Sequence, residues 1–555
     1  MRITFLGQAG LYIETKGVSI LCDPWFNPAY FASWFPFPSN AHIDPAKIGS
    51  PTYLYVSHLH HDHFDPRYLA EHVSKDTTVI LPDYPIDDLG RELAALGFTR
   101  FLRTKNNEPL TTPEGIKLMV MALAAPTDGP IGDSALVVDD GEVRVLNQND
   151  SRPTDFDTLL AHGPYDALFL QYSGAIWYPM VYDFPPRMKE ALGHRKRVDG
   201  MARTWRYIEV LAPSFVVPSA GPPCFLDDGL FEFNDFDRDP SNVFPDQTVF
   251  LEYLEEHGHT GGKLMLPGSV GELAPGRFDV THPFAADEAR AIFTHKREYL
   301  QAYRERAWPA IQAEHARWPS GQVDIVVSLR EWFEPLLAQA DMICAGIHDA
   351  VLLDVGDVGV YIDFRTRTVT QWQGEEWAYR FQVARPLIEY CIIHHEEDWV
   401  NELFLSCRFV ATRSGKYNDY IYTFFKCLSV ERLQYAEGFY AEHGPTEGTW
   451  EAAGYRIQKR CPHMKADLTR FAVIEDGVLT CQLHGWQYEL ATGRCLTAEG
   501  HQLYTRPVEG VSSAAASGEH AAPGAHPDAI PPHHDQEAGP ERGEEPDGSG
   551  GVLTP

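Results

Sequence analysis

The sequence predicts an α/β protein in four parts. Residues 1–285 form a layered α/β domain, 286–445 a mixed α/β middle region, 446–508 a small all-β domain, and 509–555 a disordered tail. Three observations carry this. Strand-like and helix-like patterns alternate as far as residue 285, which favours layered architecture. Residues 446–508 hold only short strands and turns, with paired Cys and His residues in two of the loops. After Val511 there is no aromatic residue, and Ala, Pro, Gly, His and Glu dominate, so little apolar surface is left to offset the entropy of ordering.

In chain order, "RITFLG", "LYIET" and "SILCDP" read as strands separated by turns. "PTYLYVSHLHHDH" is an apolar strand that runs into a histidine cluster, and "PRYLAEHV" is helical. "TTVILP" is a strand and "IDDLGRELAAL" a helix, followed by the strands "IKLMVMAL", "SALVVDDG" and "EVRVLNQND". "DALFLQYSG" and "SFVVPSAG" flank a polar helix around Met188–Leu211. Residues 287–318 are helical and highly charged. The middle region mixes helix ("SLREWFEPLLAQ"), strand ("AVLLDVGDVGVYIDF") and helix ("DWVNELFLSCRF"), and its role is not legible.

The formal charge of −32 argues against nucleic acid or an anionic membrane as a partner, since both need a basic face. Part of the excess is the tail, where eight acids face one Arg after residue 510. No segment approaches ~18 uninterrupted apolar residues, and the N-terminus lacks the apolar core of a signal peptide, so a cytoplasmic location is expected. The nine cysteines are sparse and mostly inside apolar runs, which suits reduced thiols.

Cys461 and His463 are one residue apart, and Cys481 and His484 two apart. The segment between the pairs reads as a hairpin, "FAVIEDGVLT". Two loops, each offering one thiolate and one imidazole, suit a two-iron cluster held from opposite sides. Neutral imidazoles in place of thiolates raise its reduction potential. Zinc is the alternative, because Cys₂His₂ also makes a tetrahedral site. The run "CPH…CQLHGW", followed by "YELATGRCL", resembles Rieske [2Fe-2S] domains. Neither loop carries the extra Cys of the respiratory type, so the resemblance is to the Rieske domains of oxygenases and ferredoxins. Cys495 reads as packing.

Upstream, "HLHHDH" supplies His58, His60, Asp62 and His63 after a strand. Alternate residues of an extended segment point the same way, so His58 and His60 can share one metal. H-x-H-x-D-H resembles the metallo-β-lactamase superfamily, with Asp23 of "LCDPW" and Asp150 of "LNQND" at supporting positions. The resemblance implies an αββα sandwich with metal at one edge. A full two-metal site needs further histidines, but this chain has Thr127 or Asp128 at one expected place and Ala220 and Gly221 at the other. The remaining set of His58, His60, His63 and two carboxylates suits non-haem iron, mono- or dinuclear.

The two halves together resemble the CMP-N-acetylneuraminic acid hydroxylase family, also through "DPWFNPAYFASWF", "YVSHLHHDHF" and "QYSGAIWYP". That family carries its Rieske domain at the N-terminus, whereas here it is C-terminal. The resemblance implies a monooxygenase that uses O₂ on an anionic small molecule, such as a nucleotide-activated sugar or a natural-product intermediate. A ferredoxin, cytochrome or reductase would supply its electrons. Asp62, His63 and Asp150 are the catalytic candidates, with all three also in the ligand set. The competing reading is an ester or phosphodiester hydrolase with a redox-sensing or docking Rieske domain. Long-range electron transfer is slow, so the Rieske domain is expected either to fold back onto the sandwich or to dock on a neighbouring subunit of a homo-oligomer. In either case it is expected to have a core of its own. Two other segments stand out. "HRKRVDGMAR" (His194–Arg203) reads as a solvated helix face, or as a phosphate site through Lys196 and Arg197. "CIIHHEEDW" reads as a helix start with acids at its positive end, or as a second metal site.

Overall fold

A computed structural model describes residues 1–123, 132–174, 176–442 and 448–508. Thr127, Asp128 and the expected tail lie outside the described residues.

Two sheets stack in the first part. The eight-stranded sheet runs, in spatial order, Arg277–Thr281, Val270–Ala274, Arg2–Gly7, Gly10–Thr15, Val18–Cys22, Tyr53–Tyr55, Thr78–Leu81 and Arg100–Arg103. The six-stranded sheet runs Phe215–Ser219, Ala167–Gln171, Arg144–Asn149, Asp133–Asp139, Lys117–Leu123 and Leu110–Thr111. Ile3, Ile13, Ile20 and Tyr55 of the first sheet share one buried core with Val120, Leu136, Val145 and Phe169 of the second. Helices cover both outer faces. Pro66–His72 and Asp88–Ala95 bury Leu69 and Leu93 against the first sheet, while Pro186–Leu211 and Gln247–Glu256 bury Ile208 and Leu254 against the second. This is the αββα sandwich.

Local chemistry sets the helix ends. Asp65 accepts the backbone N–H of Tyr68 at 2.9 Å, with Pro66 in the first turn where its missing N–H costs nothing. The long helix Pro186–Leu211 also opens on proline and ends at Ala212, whose φ is 44°. Gly193 within it is required by packing, since a Cβ there would lie 1.8 Å from the carbonyl oxygen of Ser241.

The helices Ala286–Thr294 and Lys296–His315 pack Ile292 and Leu300 onto Phe35 and Phe37 of the first domain. A five-stranded sheet follows, ordered Thr368–Gln371, Gly359–Asp363, Ala350–Asp354, Tyr379–Val383 and Phe409–Arg413. Its core is continuous with Trp25, Tyr30, Trp34 and Trp177, so these aromatic side chains are buried against the middle region. "CIIHHEEDW" spans an end and a start. The helix Arg385–Ile393 stops at His394, and Asp398 then accepts the N–H of Asn401 at 3.0 Å at the opening of the π-helical turn Val400–Phe404.

Residues 448–508 form two three-stranded sheets. Strands Ala472–Glu475 and Val478–Cys481 join through Asp476 and Gly477, with φ of 48° and 77°, the left-handed pair that a two-residue hairpin turn demands. The expectation of a separate Rieske-region core is corrected. Ile457, Cys461, Phe471 and Trp486 belong to one buried cluster with Phe156, Met201 and Tyr207 of the sandwich. Each small sheet is too thin to bury its own apolar face, so the long helix completes the core. Phe471 lies 5.1 Å from Phe156 and 5.9 Å from Tyr207, ring centre to ring centre. Phe471→Ala is therefore expected to cost ~3–5 kcal/mol. In urea unfolding, cluster absorbance and far-ultraviolet dichroism should be lost together at lower denaturant, whereas independent cores would separate the two transitions.

Candidate functional site

The strand Tyr53–Tyr55 delivers the histidine loop to the edge of the sandwich. Asp23, at the end of the neighbouring strand, fixes the loop by accepting the N–H of Ser57 at 2.7 Å. His58 Nε2 and His60 Nδ1 face each other at 2.8 Å. Asp150, just past strand Arg144–Asn149 of the other sheet, brings Oδ2 to 3.9 Å from His58 Nε2 and 3.4 Å from His63 Nε2. One ligand atom each from His58, His60 and Asp150 lie within 4.8 Å of one another.

The electrostatics suit a cation. Burial and the neighbouring His63 lower His58 to about 4, and burial together with His58 lowers His60. Both imidazoles are thus neutral, the form that a metal can bind. Burial alone would raise the Asp150 carboxyl, but His63 and His58 hold it well below the usual carboxylate range. His60 Nε2, His63 Nε2 and Asp150 Oδ1 are buried with no hydrogen-bond partner. Such orphaned atoms are costly in a dry site and are what a bound metal would satisfy. The residues present fit a metal ion.

The other candidates fall into a supporting ring. His63 Nδ1 is held by Asp23 Oδ2 at 3.1 Å and Ser57 Oγ at 3.2 Å, which aims its Nε2 at Asp150. Asp62 accepts from the Tyr30 hydroxyl at 2.6 Å and from Gln8 Nε2 at 2.9 Å, so both of its oxygens already have protein donors. Where the superfamily's last histidine was sought, Ala220 donates its N–H to the Gln8 carbonyl at 2.8 Å.

Sequence reasoning missed the residues that arrive from the middle region. Asn401 donates to the Leu59 carbonyl at 2.9 Å across 342 residues of chain. Glu402 pairs with His61 Nδ1 at 2.9 Å, and although burial opposes it, Glu402 pushes His61 up to about 9. Both come from the π-helical turn, a distortion often found at functional sites. No local signal linked them to the histidine loop. Tyr30 was within reach, since "NPAYF" lies in a segment already singled out.

In the C-terminal domain, Cys461, His463, Cys481 and His484 converge. Both cysteines are buried. Burial raises the Cys461 thiol, but hydrogen bonds from Cys481 and Tyr488 bring it down to about 7. His463 stacks on Trp486 with ring centres 3.7 Å apart and meets His484 edge-on at 4.9 Å. Burial lowers His463 to about 3 and His484 well below its ordinary value. His463 Nδ1 and His484 Nε2 are buried without partners. Two thiols and two neutral imidazoles with unspent nitrogens fit a Rieske cluster.

The long helix joins the two sites. Arg203 donates to the carbonyl of Leu483, the residue before His484, at 3.3 Å. Arg206 donates to the Arg470 carbonyl at 3.1 Å. From the same helix, the Thr204 hydroxyl donates to the Gln171 carbonyl at 2.7 Å and the Tyr207 hydroxyl to the Pro153 carbonyl at 2.8 Å, three residues from Asp150.

Comparison with known proteins matches each part. Residues 2–151 match the beta-lactamase superfamily domain, 325–442 the Rv3818-like, SCP2-like domain, and 447–506 the Rieske [2Fe-2S] domain. A protein of Mycolicibacterium smegmatis, named for a Rieske 2Fe-2S iron–sulfur centre, is 50% identical over 515 residues, covering 91% of this chain and 99% of that relative. The similarly named Rv3818 of Mycobacterium tuberculosis is 49% identical over 511 residues, with 91% and 99% covered. Two solved structures show weaker similarity. An isothiocyanate hydrolase from Delia radicum gut bacteria has a TM-score of 0.35 at 15% identity, over 49% of this chain and 99% of that one. CmlA, a diiron beta-hydroxylase from Streptomyces venezuelae, has 0.33 at 19% identity, over 49% and 54%.

Proposed function

This chain belongs to the Rieske 2Fe-2S iron–sulfur protein family of Rv3818, and from that premise we propose that it is a non-haem iron monooxygenase hydroxylating an anionic small molecule. The observation that carries this reading is the bond from Arg203 to the Leu483 carbonyl. It fastens the second Rieske loop, within the same chain, to the helix that also buttresses the Asp150 edge. Ester hydrolysis moves no electrons and has no use for that arrangement.

In this reading His58, His60 and Asp150 hold the iron, and Cys461, His463, Cys481 and His484 hold the cluster. Bound there, the cluster supplies electrons one at a time and the iron supplies oxygen activation. The chain does the rest. Asp23 and Ser57 hold His63 in one tautomer. His63 Nε2, 3.4 Å from Asp150 and 3.6 Å from Asp62, is placed to carry a proton at the metal edge. Tyr30 and Gln8 fix Asp62 so that it faces His63. Asn401 and Glu402 hold the loop from the middle region. Electrons enter the Rieske domain from a separate ferredoxin, cytochrome or reductase. Among the described residues no helix is long and apolar enough to cross a membrane. A nucleotide-activated sugar or natural-product intermediate is the substrate type we favour.

The test is metal analysis and electron paramagnetic resonance on anaerobically purified protein. The expected result is a Rieske signal on reduction, with iron beyond the two atoms of the cluster. Zinc alone in the N-terminal domain, with ester or phosphodiester turnover needing no reductant, would establish the hydrolase reading instead.

A further inference from the structure

The long helix carries a basic run whose members have different fates. Arg195 pairs with Asp199 at 3.7 Å, Arg197 with Asp235 at 3.5 Å, and Arg206 with Glu209 at 3.4 Å. Lys196 and Arg203 have no such carboxylate bridge among the described residues, and neither does Arg152, two residues beyond Asp150. Arg152 Nε is buried with no hydrogen-bond partner, and its Nη2 reaches Gln171 Oε1 at a long 3.4 Å. Arg203 spends one N–H on the Leu483 carbonyl. The Lys196 ammonium stands 5.8 Å from the centre of the Tyr178 ring.

Lys196, Arg203 and Tyr207, seven and four residues apart, lie on one face of the helix, and Tyr207 bonds the Pro153 carbonyl beside Arg152. Although its side chain reaches solvent, the surrounding protein, then repulsion from Arg152 and Arg203, lowers Lys196 to about 8. Burial, then Arg152, lowers Arg203 to about 9. Asp199, the acid in their midst, is itself raised by burial and lies nearer Arg195. Two half-buried guanidinium groups with an exposed ammonium on the same side make an unfavourable cluster of like charge unless an anion joins them. Guanidinium groups offer paired donors that match an oxyanion's geometry.

We infer that Arg152, Lys196 and Arg203 form the recognition site for an oxyanion of the substrate, a carboxylate or a phosphate, in the seam between the second Rieske loop and the Asp150 edge. Naming that oxyanion as the substrate's rests on the monooxygenase reading, whereas the anion site itself does not. The site places the substrate's charged end against the helix that links the two metal-binding regions, with its uncharged part toward His58 and His60. The phosphate option considered from sequence is thus moved from Lys196 and Arg197 to Lys196, Arg203 and Arg152, because Arg197 is spent on Asp235.

The test uses full-length protein carrying its cluster, titrated calorimetrically with inorganic phosphate and, separately, with succinate. Saturable binding of one or both is expected, and the stronger probe identifies the oxyanion. Lys196→Gln and Arg152→Gln should each weaken binding about ten-fold or more, as expected for loss of a charge-assisted hydrogen bond. Lys196→Arg should retain it, and Arg195→Gln should leave it unchanged. An intact Rieske resonance in each variant certifies its fold. Absence of saturable binding to both probes, or equal weakening by Arg195→Gln, overturns the proposal. Specific binding in a protein that never consumes oxygen would keep the anion site and sink the monooxygenase reading. No binding in a protein that does consume oxygen would do the reverse.

Discussion

His60→Ala is expected to empty the N-terminal iron site while the reduced protein keeps its full Rieske resonance. His60 supplies one of three converging ligands, and its Nε2 is buried without any other partner. Even outer partners of a metal site are worth ~10–100-fold in affinity, so loss of a direct ligand should exceed that. The fold should survive, because His60 sits at the sheet edge and the loop stays anchored through Ser57 on Asp23. Metal content by mass spectrometry is the direct measurement. Reductant-dependent oxygen uptake should fall to background in the same preparation. His72→Ala makes a fair control, since His72 lies on the following helix and packs on Tyr68 rather than facing Asp150. Retention of stoichiometric iron by the His60 variant would remove it from the ligand set and send the search back to His63.

What was legible in the sequence was local. The Cys-x-His and Cys-x-x-His pairs announce themselves because each is one short loop, and the hairpin between them follows from Asp476-Gly477. H-x-H-x-D-H is legible for the same reason, as is Asp150 at the end of an apolar strand. What could not be read was long-range. Asn401 and Glu402 meet the histidine loop across 342 residues, from a turn whose sequence looks like ordinary helix. The shared core between Phe471 and Tyr207 was invisible because each segment, taken alone, reads as complete. The basic run from His194 to Arg203 reads as a solvated face because periodicity cannot tell which cations find acids. Arg197 does and Lys196 does not, and that difference depends on where Asp235 lies. Asp62 shows the opposite limit. Its motif position suggests a metal ligand, and no pattern in the sequence shows that Tyr30 and Gln8 each donate to one of its oxygens.

Cys461→Ala separates an oxygenase from a hydrolase most sharply, because it cuts electron supply without touching the N-terminal ligands. The thiol is buried beside Cys481 and Tyr488, and its removal takes away one of four cluster ligands. The cluster's visible absorbance should vanish. His58, His60 and Asp150 lie on the sandwich edge, so upstream iron should remain near the wild-type amount. Because the C-terminal domain shares its core with the long helix, some loss of stability is expected, and the comparison is best made well below the variant's melting temperature. Under those conditions, turnover driven by a reductase and ferredoxin should stop. After chemical reduction and removal of the reductant, the variant should yield at most one product per two upstream ferrous ions, since hydroxylation takes two electrons and each ferrous ion supplies one. A hydrolase predicts the reverse: steady ester or phosphodiester cleavage by the Cys461 variant, without reductant and without oxygen. Measured anaerobically, sustained turnover of that kind would overturn the monooxygenase assignment while leaving the fold and the arrangement of His58, His60 and Asp150 untouched.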